Sequence, residues 1–176
     1  MQVVNLKKQI RCYHCGEVCV NTDIICNEKH FCCSGCRAVF EILNENNLCK
    51  YYSLDENPGI SQKKTDREQR SRFSYLDDEA IISRLINFSD SGTTTVNFSV
   101  PQIHCSSCIW LLENLHKLNP AVLHSEVNFL QKSVNIKYET KEVTLREIVE
   151  LLTSIGYEPQ ISLNDIENKV KYRSSK

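Results

Sequence analysis

Apolar and polar residues alternate along three stretches in the second half of the chain. Val96, Phe98 and Val100 are separated by polar residues, and a similar alternation recurs at residues 123–129 and 134–138. A spacing of two places the apolar side chains of a strand on one face. The three stretches therefore predict β-strands that each bury one face.

Two other stretches repeat apolar residues every three or four positions, which is the spacing of an amphipathic helix. The two helices are predicted from Leu111, Leu112, Leu115 and Leu118, and from Leu145, Ile148, Leu152 and Ile155. Gly156 follows the second helix, where a C-cap glycine is expected. With a short extended segment at 157–161, the order is strand, helix, strand, strand, helix, strand. This order predicts an α+β fold of the ferredoxin-like βαββαβ type, an antiparallel sheet with two helices on one face.

A polar segment divides the chain. The sequence SQKKTDREQRSR (61–72) has almost no apolar residues and predicts a linker. The following stretch YLDDEAIISRLINF (75–88) predicts a connecting helix with Asp77 as its N-cap. The predicted layout is a cysteine-rich metal-binding module at 8–50, a linker with a connecting helix at 51–92, the ferredoxin-like domain at 93–162 and a basic tail at 163–176.

The cysteine content adds chemistry to this layout. The chain has 176 residues with 10 cysteines, and eight of them lie between Cys12 and Cys49. The N-terminus lacks the apolar core of a signal peptide, so we expect a reducing cytosol, where closely spaced cysteines are more often metal ligands or catalytic thiols than disulfides. The net charge of -1 gives no general attraction to nucleic acid, and no apolar run reaches the roughly 18 residues of a membrane helix.

The pair Cys105 and Cys108 in IHCSSCIW lies between the first strand and the first helix of the predicted ferredoxin-like domain. Two thiolates are soft ligands that select Cu(I) or, with less discrimination, Zn²⁺. Because two protein ligands do not close a tetrahedral site, an ion held there stays open to attack by another protein's thiolate. A disulfide oxidoreductase pair and a pair of unoccupied cysteines are the alternative interpretations.

A second cluster lies in RCYHCGEVCVNTDIICNEKHFCCSGCRAVF. Cys12 and Cys15 have the spacing of a zinc knuckle, and Cys32, Cys33 and Cys36 begin a predicted helix. A knuckle and a helix N-terminus can supply four thiolates to one ion, and a segment this short and polar needs a metal to fold. The candidate ligands are Cys12, Cys15, Cys32 and Cys36, with Cys33 as a substitute for Cys32 or a transient extra ligand.

Other cysteines and histidines receive lesser roles. Cys19, Cys26 and Cys49 are predicted to be buried or half-exposed thiols without a ligand role. The histidines are His14 and His30, which flank predicted ligands, His104, an auxiliary group beside the second site, and His116 and His124, predicted to face solvent. Cysteines already supply the ligand count of the first site, so neither flanking histidine is needed there.

On these residues the chain resembles the amino-terminal cytoplasmic part of heavy-metal-transporting P-type ATPases, in particular the copper(I) exporters linked to assembly of cbb-type haem-copper oxidases. Residues 93–161 are similar to a heavy-metal-associated domain in VNFSVPQIHCSSCIWLLENL, SEVNFLQKSVNIKY and IGYEP. In that family the two loop cysteines bind Cu(I), which implies Cu(I) at Cys105 and Cys108. The usual Gly-Met before the loop is replaced by Gln102 and Ile103, a departure that bears on loop flexibility and affinity.

Residues 12–40 resemble the cysteine-rich module that precedes this domain in the oxidase-linked group. That module is itself similar to treble-clef zinc fingers, and FCCSGC is its most distinctive part here. The resemblance implies Zn, or alternatively Cu, at the N-terminal cysteine cluster.

The resemblance also implies a function, namely Cu(I) binding and delivery or regulation within a copper-exporting P-type ATPase. The chain has no Asp-Lys-Thr-Gly phosphorylation motif and no Cys-Pro-Cys membrane motif, so we expect no enzymatic activity of its own and an ATP-driven translocase as the parent protein. The implied partners are a copper chaperone or other thiol donor and the membrane and ATP-binding domains of the ATPase, with no nucleic acid. A free-standing soluble metallochaperone or metal sensor is the alternative.

The tail at 163–176 carries four basic residues against two acidic ones. The basic residues are Lys169, Lys171, Arg173 and Lys176. Within the resemblance this charge is that of the cytoplasmic flank of a first membrane helix. We therefore expect the chain to be a soluble part of a membrane protein on the cytoplasmic side of the inner membrane, with an apolar segment after Lys176.

Overall fold

The structure is a computed structural model and describes residues 9–63 and 72–161. The predicted basic tail at 163–176, residue 162 of the predicted ferredoxin-like domain, residue 8 of the predicted module and residues 64–71 of the polar linker lie outside the described residues. Among the helices of the described part, none is long and apolar enough to cross a membrane.

The N-terminal unit begins with a knuckle and a hairpin. Strands β1 (Ile25–Cys26) and β2 (Lys29–His30) pair in an antiparallel fashion. Between them Asn27 and Glu28 have φ angles of 48° and 62°. Two consecutive residues in the left-handed region form the tight turn that suits the twist of a two-residue hairpin.

Helix α1 (Ser34–Glu45) completes the N-terminal unit. Its N-cap residue is Cys33, whose thiol accepts a hydrogen bond from the Cys36 N–H over 3.4 Å. Phe40 on the buried face of α1 packs against Phe31, with ring centroids 5.2 Å apart. The buried residues of this small core are three cysteines and two phenylalanines. So little apolar area does not stabilise a fold without a metal.

The region predicted as a linker contains several elements. Helix α2 (Tyr51–Leu54) follows α1, and a 3₁₀ turn precedes helix α3 (Glu79–Leu85). The predicted N-cap at Asp77 is wrong by one residue, because the carboxylate of Asp78 accepts the Ala80 N–H over 2.8 Å. The predicted helix also extends too far, since its last residues belong to strand β3 (Ile86–Asp90).

The second half forms a four-stranded antiparallel sheet. The three predicted strands are β4 (Thr93–Ser99), β5 (Val122–Asn128) and β6 (Ser133–Glu139), and with β3 they pair in the order β3-β4-β6-β5. The two predicted helices are α4 (Ser106–Leu112) and α5 (Leu145–Ser154). The first helix ends earlier than its apolar repeat predicts, because Leu115–Lys117 form a separate 3₁₀ turn. The ferredoxin-like α+β prediction is therefore confirmed.

The edge of the sheet beside β4 differs from the prediction. The segment at 157–161, predicted as a full strand, contributes one bridge, between Gln160 and Ser99. Strand β3 pairs with the rest of β4 through a tight turn at Ser91 and Gly92, whose φ angles are 39° and 99°. Closing this short hairpin costs less chain entropy than bringing a distant segment to the same edge.

The hydrophobic core of the sheet and its helices continues into the first half of the chain. Leu48 and Tyr51 are fully buried in the same cluster as Ile103 and Leu112. The apolar surfaces of the two predicted units are therefore continuous. The predicted domain boundaries themselves stay a prediction.

Candidate metal centres

Four thiols of the N-terminal unit converge on one point. They belong to Cys12, Cys15, Cys32 and Cys36, and their sulfur atoms all lie within 4.8 Å of one another. Two elements bring them together. The knuckle turns back at Gly16, whose N–H donates to the Cys12 carbonyl over 2.9 Å and whose φ is 74°. The first turn of α1 supplies Cys36, and the short segment between β2 and α1 supplies Cys32.

The spacing of these thiols fits a tetrahedral zinc ion. Zn–S bonds of about 2.3 Å place tetrahedral sulfur atoms about 3.8 Å apart. The Sγ atoms of Cys15 and Cys32 are separated by 3.5 Å, those of Cys32 and Cys36 by 3.7 Å, and those of Cys36 and Cys15 by 3.8 Å. Two of the four residues are fully buried and two are partly buried. A closed four-thiolate site of this kind is typical of structural zinc.

The thiols of this cluster shift one another's pKa values through hydrogen bonds. Hydrogen bonds from Cys15 and Cys36 hold the pKa of Cys12 well below the usual value of a thiol. The hydrogen bonds that they make to Cys12 raise the pKa values of Cys15 and Cys36. The metal-free cluster therefore holds protons that a bound ion must displace, so metal binding releases protons.

Cys33 is not one of the four converging thiols. Its Sγ lies 3.9 Å from that of Cys32, and it caps the start of α1. Nor do His14 and His30 join the cluster, since their Nδ1 atoms bond to the Tyr52 hydroxyl and the Thr22 carbonyl. The remaining cysteines also lie outside it, Cys19 being buried, Cys26 half-buried and Cys49 exposed.

Gly59 is expected to be sensitive to substitution because the ring of His14 lies against it. The Gly59 N–H donates to the His14 carbonyl over 2.8 Å, and a Cβ at this position would lie 2.2 Å from the ring. His14 is fully buried and cannot move aside freely. We expect Gly59→Ala to lower the free energy of unfolding of the metal-loaded chain by about 1–3 kcal/mol in urea. In a His14→Ala background the same change should cost little, and equal losses in both backgrounds would contradict the steric explanation.

The second site lies where β4 leads into α4. Cys105 is the N-cap residue of α4 and is half-exposed, whereas Cys108 in the first turn is fully buried. Their Sγ atoms are 3.1 Å apart. Burial, and then the hydrogen bond with Cys108, raise the pKa of Cys105 to about 11. The pair presents one accessible and one protected sulfur, and both thiols are free.

His104 is the third potential ligand at this site. Its Nδ1 lies 3.5 Å from the Cys108 sulfur and 2.8 Å from the Gln102 carbonyl, and the side chain is exposed. Ile103, which stands in the position of the family's methionine, is fully buried and anchors the loop in the core. The donor set of two thiols with one imidazole suits a soft or borderline metal ion.

Contacts from distant parts of the chain support the second site. The Tyr157 hydroxyl donates to the Cys108 sulfur over 3.1 Å, and the hydroxyls of Tyr157 and Tyr51 are hydrogen-bonded over 2.8 Å. Asp55 accepts hydrogen bonds from Ser106 and Ser107, which hold its pKa below the usual value of a carboxyl. Sequence reasoning missed Asp55 and Tyr51, because nothing in the local pattern connects residues 51 or 52 positions apart, as Asp55 is from Ser106 and Ser107, or 106 apart, as Tyr51 is from Tyr157.

Comparison with known families agrees with this architecture. Residues 11–90 match the family model described as "Putative metal-binding domain of cation transport ATPase", and residues 97–158 match the model of the heavy-metal-associated domain. Residues 97–158 are a heavy-metal-associated domain. The chain therefore joins a region that is similar to a metal-binding domain of cation transport ATPases to a heavy-metal-associated domain.

One solved structure with a weak overall likeness is that of oxidized MerP from Ralstonia metallidurans CH34. It shares 20% sequence identity and has a TM-score of 0.37, covering 40% of this chain and 97% of the MerP chain. No curated protein matches the chain.

Each candidate metal centre lies within a different family match, but contacts cross the boundary between the two matched regions. The four-thiol cluster, Tyr51 and Asp55 lie in the first match, whereas Cys105 and Cys108 lie in the heavy-metal-associated domain. Strand β3 belongs to the first match, yet it forms the edge of the sheet of the heavy-metal-associated domain. The two domains thus share both a sheet edge and the surroundings of the second metal site.

Proposed function

We propose that this chain binds Cu(I) at Cys105 and Cys108 as the metal-receiving part of a copper-exporting P-type ATPase. The single observation that carries the proposal is the pairing of a half-exposed and a buried thiol on the loop of a heavy-metal-associated domain. Thiolates favour Cu(I) over harder ions. The copper ion is cargo here, and the exposed sulfur is where a donor thiol would approach it.

The N-terminal cluster has a different proposed role. Its four thiols form a closed set with tetrahedral spacing, and this set supports structural zinc rather than a transported ion. A closed site leaves no position for an incoming ligand. We infer that zinc stabilises the first domain while copper passes through the second.

The implied partners follow from this chemistry. A copper chaperone or another thiol donor loads Cys105 and Cys108, and the membrane and ATP-binding parts of the ATPase receive the ion. The match of residues 11–90 to a domain of cation transport ATPases supports this assignment. The proposed location is the cytoplasmic face of the inner membrane.

Metal analysis of the full chain tests the proposal. After anaerobic loading, native mass spectrometry should detect one zinc and one copper ion per chain. A Cu(I) chelator should then remove the copper quickly while the zinc stays, because the copper pair is open and the zinc quartet is closed. Cys49→Ser, which removes an exposed cysteine outside both sites, should leave both ions bound. Copper that resists the chelator as strongly as zinc would contradict a role in transfer.

A further inference from the structure

The start of helix α4 depends on an acceptor from the other domain. Cys105 occupies the N-cap position and makes no side-chain capping hydrogen bond. The first N–H groups of a helix need acceptors from outside the helix. The carboxylate of Asp55 supplies one, accepting the Ser107 N–H over 3.0 Å together with the hydroxyls of Ser106 and Ser107 over 2.7 and 3.0 Å. Because Asp55 accepts the Ser107 N–H, the Cys105 sulfur is not used for capping and is available as a metal ligand.

A second contact reaches the buried ligand. Tyr157 donates its hydroxyl to the Cys108 sulfur, and Tyr51 of the first domain is hydrogen-bonded to the Tyr157 hydroxyl. Both tyrosines are almost completely buried, so water does not replace these bonds. Hydrogen bonds to metal ligands orient them and tune their affinity for the ion. The first domain therefore contacts the neighbours of Cys105 and Cys108 at two points, Tyr157 and the first turn of α4.

Helix α2, which carries Tyr51, also contacts residues beside the four-thiol cluster. Tyr52, next to Tyr51 on α2, has its ring centroid 4.9 Å from that of Tyr13 and its hydroxyl 2.9 Å from Nδ1 of His14. Tyr13 and His14 are the two residues between Cys12 and Cys15 in the knuckle. Neighbouring side chains of α2 thus face the two metal centres.

From this arrangement we propose that Tyr51 and Asp55 are positioning residues for the copper pair and that α2 couples the occupancy of the two metal sites. The inference rests on the proposed function of Cys105 and Cys108 and adds a regulatory link to it. Bound zinc fixes the knuckle, and Tyr13 and His14 of the knuckle contact Tyr52 on α2. Helix α2 in turn positions Tyr51 and its C-cap residue Asp55 beside the second site. Loss of zinc weakens copper binding through this path.

Removal of the Asp55 carboxylate provides the first test, in the full zinc-loaded chain. Competition with a chromophoric Cu(I) chelator should show that Asp55→Ala binds copper about tenfold more weakly, the scale expected when a ligand-supporting contact is lost. Glu56→Ala removes the same charge from the exposed neighbour and should leave the affinity unchanged. In the copper-free chain, hydrogen exchange at the Ser107 N–H should be faster in Asp55→Ala alone. Equal affinity and equal exchange in both variants would overturn the proposal.

A milder variant covers the case in which Asp55→Ala does not fold. Tyr51→Phe keeps the ring and removes one hydroxyl, and should weaken copper binding by about two- to tenfold, the equivalent of one hydrogen bond. Tyr75→Phe, which changes a more exposed tyrosine outside this contact path, is the matched control. The same copper affinity in both variants would count against a role for Tyr51.

The coupling itself is measured by a cycle of zinc removal and mutation. Changing Cys12, Cys15, Cys32 and Cys36 to serine removes zinc and leaves none of these four thiols to bind Cu(I) in its place. With Tyr51 and Asp55 intact, this change should lower copper affinity at the second site about tenfold, whereas in the Tyr51→Phe/Asp55→Ala double variant it should cause little further loss, because both contacts from the first domain are already absent. A further loss in the double variant as large as that with Tyr51 and Asp55 intact would overturn the coupling. Failure of the unmodified chain to bind Cu(I) at all would instead overturn the proposed function.

Discussion

Cys36→Ser is expected to release the N-terminal metal ion and to unfold residues 9–33, whereas α1 stays packed through Val39 and Leu43 in the core of the sheet. The Cys36 sulfur is fully buried and lies 3.7 and 3.8 Å from two partner sulfurs, so a serine hydroxyl there is a weak, hard ligand in a soft site. Structural zinc contributes about 10–16 kcal/mol in comparable units. Three cysteines and two phenylalanines form the buried core, which cannot replace that contribution. Zinc content and the NMR dispersion of residues 9–33 measure the effect.

The neighbouring cysteines provide a sharp control for this prediction. Cys32 lies among the converging thiols, whereas Cys33 caps α1. Cys33→Ser should retain the zinc ion, because serine is itself a good N-cap residue. Cys32→Ser should lose the ion like Cys36→Ser. The reverse result, zinc lost from Cys33→Ser and kept by Cys32→Ser, would show that the ligand set is wrong.

The arrangement of the second domain was predictable because its signals are local. Alternation at Val96, Phe98 and Val100 and the helical repeat at Ile148 and Leu152 each report a buried face within a few residues. The grouping of the knuckle cysteines with those at the start of α1 was also predictable, because each pair has a short spacing that is recognisable in the sequence. Cys33 shows the limit, since adjacent cysteines in FCCSGC differ in role through backbone direction, which spacing does not encode.

Sequence reasoning missed two kinds of feature: contacts between residues far apart in the chain, and segments whose helical pattern gives way to strand pairing. Strand β3 (Ile86–Asp90) was predicted as helix because Ile81, Ile82 and Leu85 continue into it at helical spacing. Residues 86–90 instead pair as a strand with the edge of β4. A sequence pattern over a few residues does not show that such a sheet edge is available. Asp55 in turn bonds to Ser106 and Ser107 from a region predicted as a linker. Its role emerges once two domains are packed together.

The two metal centres differ in access more than in ligand chemistry. Both use cysteine, but the first brings four sulfurs together, and the second offers two sulfurs, one of them half-exposed, with an exposed imidazole beside them. Under the proposed function, the closed site holds its ion permanently and the open site exchanges it. Variants of the two sites should therefore separate stability from cargo binding.

The double variant Cys105→Ser and Cys108→Ser is accordingly expected to lose its Cu(I) ion with little change in stability. Hydroxyls are poor ligands for a soft ion, so copper affinity should fall to that of nonspecific binding. The serine at 108 can still accept the Tyr157 hydrogen bond, so the cost to the copper-free fold should be about 1 kcal/mol.

Zinc and copper content of the zinc-loaded full chain, together with its urea unfolding in the absence of copper, measure both effects. Cys49→Ser changes a cysteine outside both sites and should behave like the unmodified chain. Copper retained one-to-one by the double variant, with zinc still bound, would mean that other residues are the ligands. A large loss of stability in the copper-free double variant would instead assign the pair a structural role, because an open delivery site contributes little to the fold when it is empty.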